Sequence, residues 1–552
     1  MVFLNTLFLS LFITVVLVPF FRSLAYKINA VDKPDERKVH ARPMARTGGL
    51  AMAVGALLPL FLWGQAEVFR PWLLACAIIV GAGFVDDLIG LGHRAKFGAQ
   101  ILAAAVVVLY GGIAITSLGA LLPDGWLLPA WLSIPLSIVV IVGVTNAINL
   151  ADGLDGLAGG ITVISFLLLG YFGLRAGDAV VVMVAAAVIG AIFGFLRYNT
   201  YPATIFMGDA GSQLLGFLAI TVSLYLTRTD VIYSPLLPLL LLGFPILDTL
   251  TVMLARIYNG RSPFAADKNH FHHKLMRLGL AHREAVLAIY LVQLGLVLAA
   301  YRLRFSSDWL ILGWALGIGA AVSLFFYLSS RFGWRLTRKA ENLPGNFQKI
   351  LAEAHLLTRV LKVLFLLLRI NFSLILLVVV LSMAEIPGWF AGLALALSGV
   401  VLVLMLTGSR HYEFFLRTAV YLPLPLLVYW GAVAPADGRI SWCRCCGAGW
   451  FYGPLYVSLI IFSLLLLKLT RRDGYQSTPL DFLILMTAIL LPSVAPAELA
   501  GGQVKTLAIR IIAVFFALEV ILEESRTRNL DLGLTVVGVL LLAGLRWLTG
   551  AV

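Results

Sequence analysis

The chain has 552 residues, 61% of them hydrophobic and 12% charged, with a net charge of +13. A soluble globular chain carries roughly a quarter charged residues, so the composition excludes that class and describes an integral membrane protein. Apolar runs of about 20 residues without strict alternation exclude a transmembrane barrel and make the class all-α and polytopic.

The first span begins near Phe3 with no Lys or Arg ahead of it, and Lys27, Lys33, Arg37, Lys38, Arg42 and Arg46 follow. A cleavable signal peptide would carry its basic residues in front. The positive-inside rule therefore places the N-terminus outside and the loop 23–47 in the cytoplasm. Ten more spans are predicted over 48–64, 71–85, 98–115, 131–148, 158–174, 179–196, 213–227, 233–257, 284–301 and 308–330. Counting faces, the segments after Val85, Asn146, Leu196 and Ile257 are all cytoplasmic. The positive charge is mainly this topology signal, with attraction to anionic lipid headgroups second, and it does not indicate nucleic acid.

Domains are expected at 1–331, at a basic amphipathic linker 332–358, and at a further membrane region 359–552. That last region holds about seven spans, near 360–383, 389–407, 417–434, 452–469, 480–495, 505–522 and 531–548. Arg369 within a span and Glu385 at an outer end read as a packed polar pair or part of a lipid path. Cys76 reads as a small packing residue, whereas Cys443, Cys445 and Cys446 fit neither zinc-finger spacing nor an easy mutual disulfide.

Five aspartates stand at span ends on the cytoplasmic face: Asp86 and Asp87 in VDDLIGLG, Asp152 and Asp155 in NAINLADGLDGLAGG, and Asp209 in FMGDAGS. A fourth segment, DKNHFHHKLMRLG, adds His270, His272 and His273. A single Asp reads equally well as a helix cap. Five on one face are costly to cluster unless a cation holds them. Magnesium or manganese, taking one or two carboxylates plus substrate oxygens, is the expected ion, and a phosphate-bearing compound the expected substrate. Asn146, Asn149, Asp152 and Asp155 follow at three-residue steps along one helix side, and Gly153 and Gly156 allow backbone amides to approach a ligand. Imidazole suits zinc better than magnesium, so the histidines are weighed as ligand contacts rather than metal ligands.

In order and in register, DDLIGL, NAINLADGLDGL, FMGDAGS and the histidine loop resemble the polyprenyl-phosphate N-acetylhexosamine-1-phosphate transferases, of glycosyltransferase 4 type, over roughly 1–331. RSPFAADKNHFHH stands where the phospho-muramoyl-pentapeptide branch has three consecutive histidines, and is similar instead to the N-acetylglucosamine branch. The resemblance implies transfer of N-acetylhexosamine 1-phosphate, with GlcNAc 1-phosphate foremost, from a UDP-sugar to undecaprenyl phosphate with release of UMP. That is the first membrane step of cell-envelope polysaccharide synthesis, on the cytoplasmic side of the inner (plasma) membrane. The implied partners are UDP-N-acetylhexosamine, undecaprenyl phosphate and membrane lipids; a homodimer is open to such a chain.

The family also implies roles by position. Asp209 would be a magnesium ligand, with Asp86 sharing the ion; Asp86 or Asp87 would deprotonate or orient the lipid phosphate. Asp152 and Asp155 would hold nucleotide and metal, supported by Asn149. Phe206 would stack the uracil ring, Asn199 would line the same pocket, and His270, His272 and His273 would contact the diphosphate or sugar. Lys96, Arg37, Lys38 and His40 would neutralise phosphates at the lipid end. The region after Arg331 departs from the family pattern of about eleven spans. A transporter or flippase is the competing class, but transporters place ionisable groups near the bilayer midplane rather than at span ends. An inactive scaffold would not need these motifs intact.

Overall fold

Inside a bilayer every backbone polar group needs an internal partner, which leaves helices as the solution for these apolar runs. The computed structural model describes residues 2–32, 43–123, 126–228, 233–262, 270–334, 355–383, 386–409, 412–421, 423, 427, 449–469, 483, 510, 513–518, 520–522 and 530–549. It divides into two units, Met1–Lys339 with Thr478–Leu483, and Ala340–Ser477 with Ile484–Val552. Among the described residues eleven helices are long and apolar enough to cross a membrane, eight in the first unit and three in the second. The protein is an all-α, multi-pass membrane protein.

The first unit runs α1 (Val2–Lys27), β1 (Val31–Asp32), β2 (Met44–Ala45), α2 (Gly48–Trp63), α3 (Ala66–Ile89), α4 (His93–Ala105), α5 (Ala130–Ala151), α6 (Leu157–Ala176), α7 (Ala179–Asn199) and α8 (Gly208–Leu226). It continues with α9 (Pro238–Leu241), α10 (Gly243–Tyr258), α11 (Phe271–Arg277), α12 (His282–Leu303) and α13 (Asp308–Arg331). The strands β1 and β2 pair antiparallel, Val31 opposite Ala45 and Asp32 opposite Met44.

Burial sorts these helices. In α8, 94% of the spanning window is buried and in α6 and α7 83%, against 17% in α13, so α6–α8 form the interior and α13 the rim. Because α8 is surrounded, its polar side chains find partners on neighbouring helices: Gln100 of α4 donates to Gln213 at 3.0 Å, and the Trp72 indole of α3 donates to Thr221 at 3.1 Å. Gly83 lets α3 approach α8 closely; a Cβ there would lie 2.6 Å from Ala210 Cα.

Two expected spans differ in detail. The run 98–115 ends early: α4 continues as a single π turn over Val106–Tyr110 and the chain is irregular over 112–118. The run 233–257 is broken into α9 and α10. Gln293 of α12 satisfies that break, accepting the Phe244 N–H at 3.0 Å and donating to Leu241 O at 2.7 Å and Ser165 Oγ at 2.9 Å.

The second unit contains helices His355–Ser382, Gly388–Leu406, Tyr412–Tyr421, Gly449–Leu469 and Leu530–Thr549 around a core that includes Phe372, Phe390, Tyr412 and Leu540. Asn371 donates to Leu455 O and Ser458 Oγ, and Arg546 donates to Val380 O at the end of the first of these helices. Arg369 pairs with Asp531 at 2.9 Å, while Glu385, read with it as a polar pair or part of a lipid path, lies outside the described residues. So do Cys443, Cys445 and Cys446, and most of the expected linker 332–358.

Candidate active site

The site is built around the N-terminus of α8, whose leading N–H groups have no intrahelical partner. Residues 45–49 run beside residues 206–207. The Phe206 N–H donates to Ala45 O at 2.8 Å, the Gly48 N–H to Phe206 O at 3.0 Å, and the Gly49 N–H to Met207 O at 2.8 Å. Asp87, at the end of α3, accepts the Asp209 N–H at 3.0 Å and the Ala210 N–H at 3.2 Å. A carboxylate there satisfies orphan donors and complements the positive end of the helix.

Asp86 and Asp209 face each other across Lys96. Asp86 accepts the Leu91 N–H at 2.6 Å through Oδ1, and its Oδ2 lies 2.6 Å from Lys96 Nζ. Asp209 Oδ2 also pairs with Lys96, while its Oδ1 accepts from Asn149 Nδ2 at 2.9 Å. Asn149 gives a second bond to Ser212 Oγ at 2.8 Å. Three remote helices thus deliver Asp86, Asn149 and Asp209 to one point.

The loop 152–156 closes the opposite side. It is held at both backbone faces of Gly156, whose N–H donates to Asn199 Oδ1 at 2.9 Å and whose carbonyl accepts the Tyr290 hydroxyl at 2.7 Å. The Asp155 N–H donates to His282 Nε2 at 3.1 Å, and Asp155 Oδ2 accepts the Ala203 N–H at 2.9 Å. An open cavity of about 840 Å³ lies between this loop and α8.

Of the side chains singled out in the sequence, Asp86, Asp87, Lys96, Asn149, Asp152, Asp155, Asn199, Phe206, Asp209 and His273 line that cavity. His270 and His272 are not among the lining residues. His270 is turned to Asp248, 2.9 Å away, and both histidines are buried. Arg37, Lys38 and His40 lie outside the described residues. The lining also includes Asp32, Arg46, Tyr201, Ser212 and His282, which the motif reading did not select. Arg46, read only as topological charge, pairs with Asp32 at the wall. Gly48 and Gly49, two residues further on, where a Cβ would meet Phe206 O and Met207 O respectively, were the available signal. Nothing local marks His282 or Tyr201; their rings meet at 4.5 Å only through tertiary folding.

Charge is unevenly distributed. Burial pushes the Asp152 carboxyl from 3.8 up to about 7, with Asp209, Asp155 and Asp87 adding repulsion. Burial opposes charge on Lys96, but its bonds to Asp209 and Asp86 outweigh that and raise its pKa, so it stays an ammonium. Burial, followed by neighbouring His273, brings His272 down to about 3 and keeps it neutral.

Among the described residues no three His, Cys, Asp or Glu side chains are grouped as a ready-made metal cage. Asp86 and Asp209 nevertheless both bind one ammonium, which marks the point between them as a cation position. Two carboxylates suit a small hard divalent ion that completes its shell with water and substrate oxygens. Asp86 and Asp209 are the residues that would hold such an ion, at the position that the Lys96 ammonium takes.

A family model described as glycosyl transferase family 4 matches residues 69–227, which span α3 to α8. The chain is 37% identical over 306 residues to a probable undecaprenyl-phosphate N-acetylglucosaminyl 1-phosphate transferase of Bacillus subtilis, covering 55% of this chain and 85% of that one. It is 38% identical over 305 residues to a decaprenyl-phosphate N-acetylglucosaminephosphotransferase of Mycobacterium leprae, covering 49% and 75%. To an undecaprenyl-phosphate alpha-N-acetylglucosaminyl 1-phosphate transferase of Escherichia coli K12 it is 31% identical over 349 residues, covering 60% and 93%.

Proposed function

The chain belongs to glycosyl transferase family 4, and on that ground we propose that it transfers N-acetylglucosamine 1-phosphate from UDP-GlcNAc to a polyprenyl phosphate, undecaprenyl phosphate foremost. UMP is released, and the product is a polyprenyl diphosphate sugar for envelope polysaccharide synthesis. The names of the relatives support acceptor and sugar. The observation that carries the reading is the convergence of Asp86, Asp209 and Lys96 at one point of an open cavity that also holds Asp152 and Asp155. The positive-inside pattern supports a site facing the cytoplasm, where a soluble nucleotide-sugar is accessible, in the inner membrane.

An oxygen of the lipid phosphate attacks the sugar-bearing phosphorus of UDP-GlcNAc, and the bond from that phosphorus to the bridging oxygen breaks. UMP leaves with the electron pair. A phosphate monoester has its second pKa near 6, so the acceptor is already largely dianionic and needs little base catalysis. Placement and charge compensation therefore carry the rate. Asp86 and Asp209 would hold magnesium, which would supply positive charge beside the diphosphate. Lys96 offers an ammonium to the phosphates at the cavity, and Arg46 stands at the same wall. Phe206 offers a flat face for the base, and Asp87 keeps the α8 N-terminus in place.

The purified full-length protein is expected to release UMP from UDP-GlcNAc only with both undecaprenyl phosphate and magnesium, and chelation should stop the reaction reversibly. Absence of magnesium-dependent release with every UDP-N-acetylhexosamine removes the proposal.

A further inference from the structure

Asp248 lies on α10, away from the acidic motifs, and is 1% exposed. A carboxylate buried to that degree is strongly unfavourable unless donors surround it. Its Oδ1 accepts the Phe271 N–H, the first of α11, at 2.8 Å, and its Oδ2 lies 2.9 Å from His270 Nδ1. With its proton on Nδ1, the tautomer that matches a carboxylate oxygen as acceptor, His270 donates to Asp248.

From His270 the contacts continue toward the cavity. The His270 and His272 rings are stacked 5.8 Å apart and 7° from parallel. His272 packs on the 152–156 loop so tightly that a Cβ at Gly153 would come within 2.5 Å of its ring. The ring of His273, which lines the cavity, lies 4.2 Å from that of His272. Neither His270 nor His272 lines it.

We propose that Asp248 and His270 are positioning residues: their buried pair fixes the start of α11, so that His272 supports the loop carrying Asp152 and Asp155 and His273 is held at the cavity wall. Two of the three motif histidines then act without touching substrate, and Asp248 joins the machinery from outside the motifs. The effect on turnover rests on the transferase reading above; the effect on the backbone does not.

The test compares full-length His270→Asn, which keeps a side-chain N–H close to where Nδ1 stands, with His270→Phe, which keeps a ring and loses the donor. Asp248→Ala removes the acceptor. Hydrogen exchange should accelerate at the amides of 152–157 and 271–277 in His270→Phe and Asp248→Ala, and stay near wild type in His270→Asn. Turnover should fall on the order of 100-fold in the first two, in kcat more than in KM for UDP-GlcNAc, and recover in His270→Asn. Equal loss of turnover in His270→Asn and His270→Phe with unchanged exchange would assign His270 to substrate contact and overturn the proposal. Wild-type exchange in Asp248→Ala would overturn it too. If Asp248→Ala does not fold, the two His270 variants decide alone. A wild-type protein that releases no UMP defeats the transferase reading, while the exchange comparison still decides this one.

Discussion

At the residue scale the site is defined by carboxylates crowded into a buried place and by the donors that reach them. Asp87 accepts two backbone N–H groups and Asp155 the Ala203 N–H; in the loop 152–156, burial and then repulsion from Asp209, Asp155 and Asp87 push Asp152 up to about 7. The folded-state pKa of Asp152 lies above the ordinary 3.8, so ionising it opposes folding. That penalty is absent below the unfolded pKa, grows as pH rises between the two values, and is complete above about 7. Asp152→Asn is therefore expected to raise the thermal midpoint of the metal-free protein in detergent at pH 8, with the gain fading toward pH 4. A gain independent of pH contradicts the account. The same substitution should lower turnover, since strained groups cluster where chemistry is done.

At the element scale, irregularities in the helices place the chemistry. The break between α9 and α10 lets α10 start afresh at Gly243, and α10 carries Asp248 beside α11. Gln293 makes that break tolerable by accepting the Phe244 N–H. Gln293→Leu leaves this buried donor without a partner, a loss of about 2 kcal/mol. It should appear as a lower thermal midpoint. Equal midpoints for Gln293→Leu and wild type would show that the break is held by other contacts. The start of α8 depends similarly on residues 45–49, which fix Phe206 and Met207 through backbone bonds. Here the sequence was only partly legible: Gly48 and Gly49 were visible, but the segment they approach lies about 160 residues away.

At the scale of the whole molecule, all the cavity-lining residues belong to the first unit. Just over half of this chain accounts for 85% of the Bacillus subtilis relative. A chain ending at Trp334 is accordingly expected to keep magnesium-dependent UMP release, measured beside the full chain under identical conditions. Loss of turnover in a truncated protein that remains folded would give the second unit a direct part in the reaction.

Sequence alone determined the membrane class, most of the spans of the first unit and the carboxylate-bearing motifs. Hydropathy is local and additive along the chain, and motif residues announce themselves by type and spacing. Tertiary structure alone decided that Lys96 lies between Asp86 and Asp209, that Arg46, Tyr201 and His282 line the cavity, and that His270 turns to Asp248. Those outcomes depend on which remote side chain reaches a buried donor or acceptor first. That is a question of distance in three dimensions, and no periodicity in the chain encodes it.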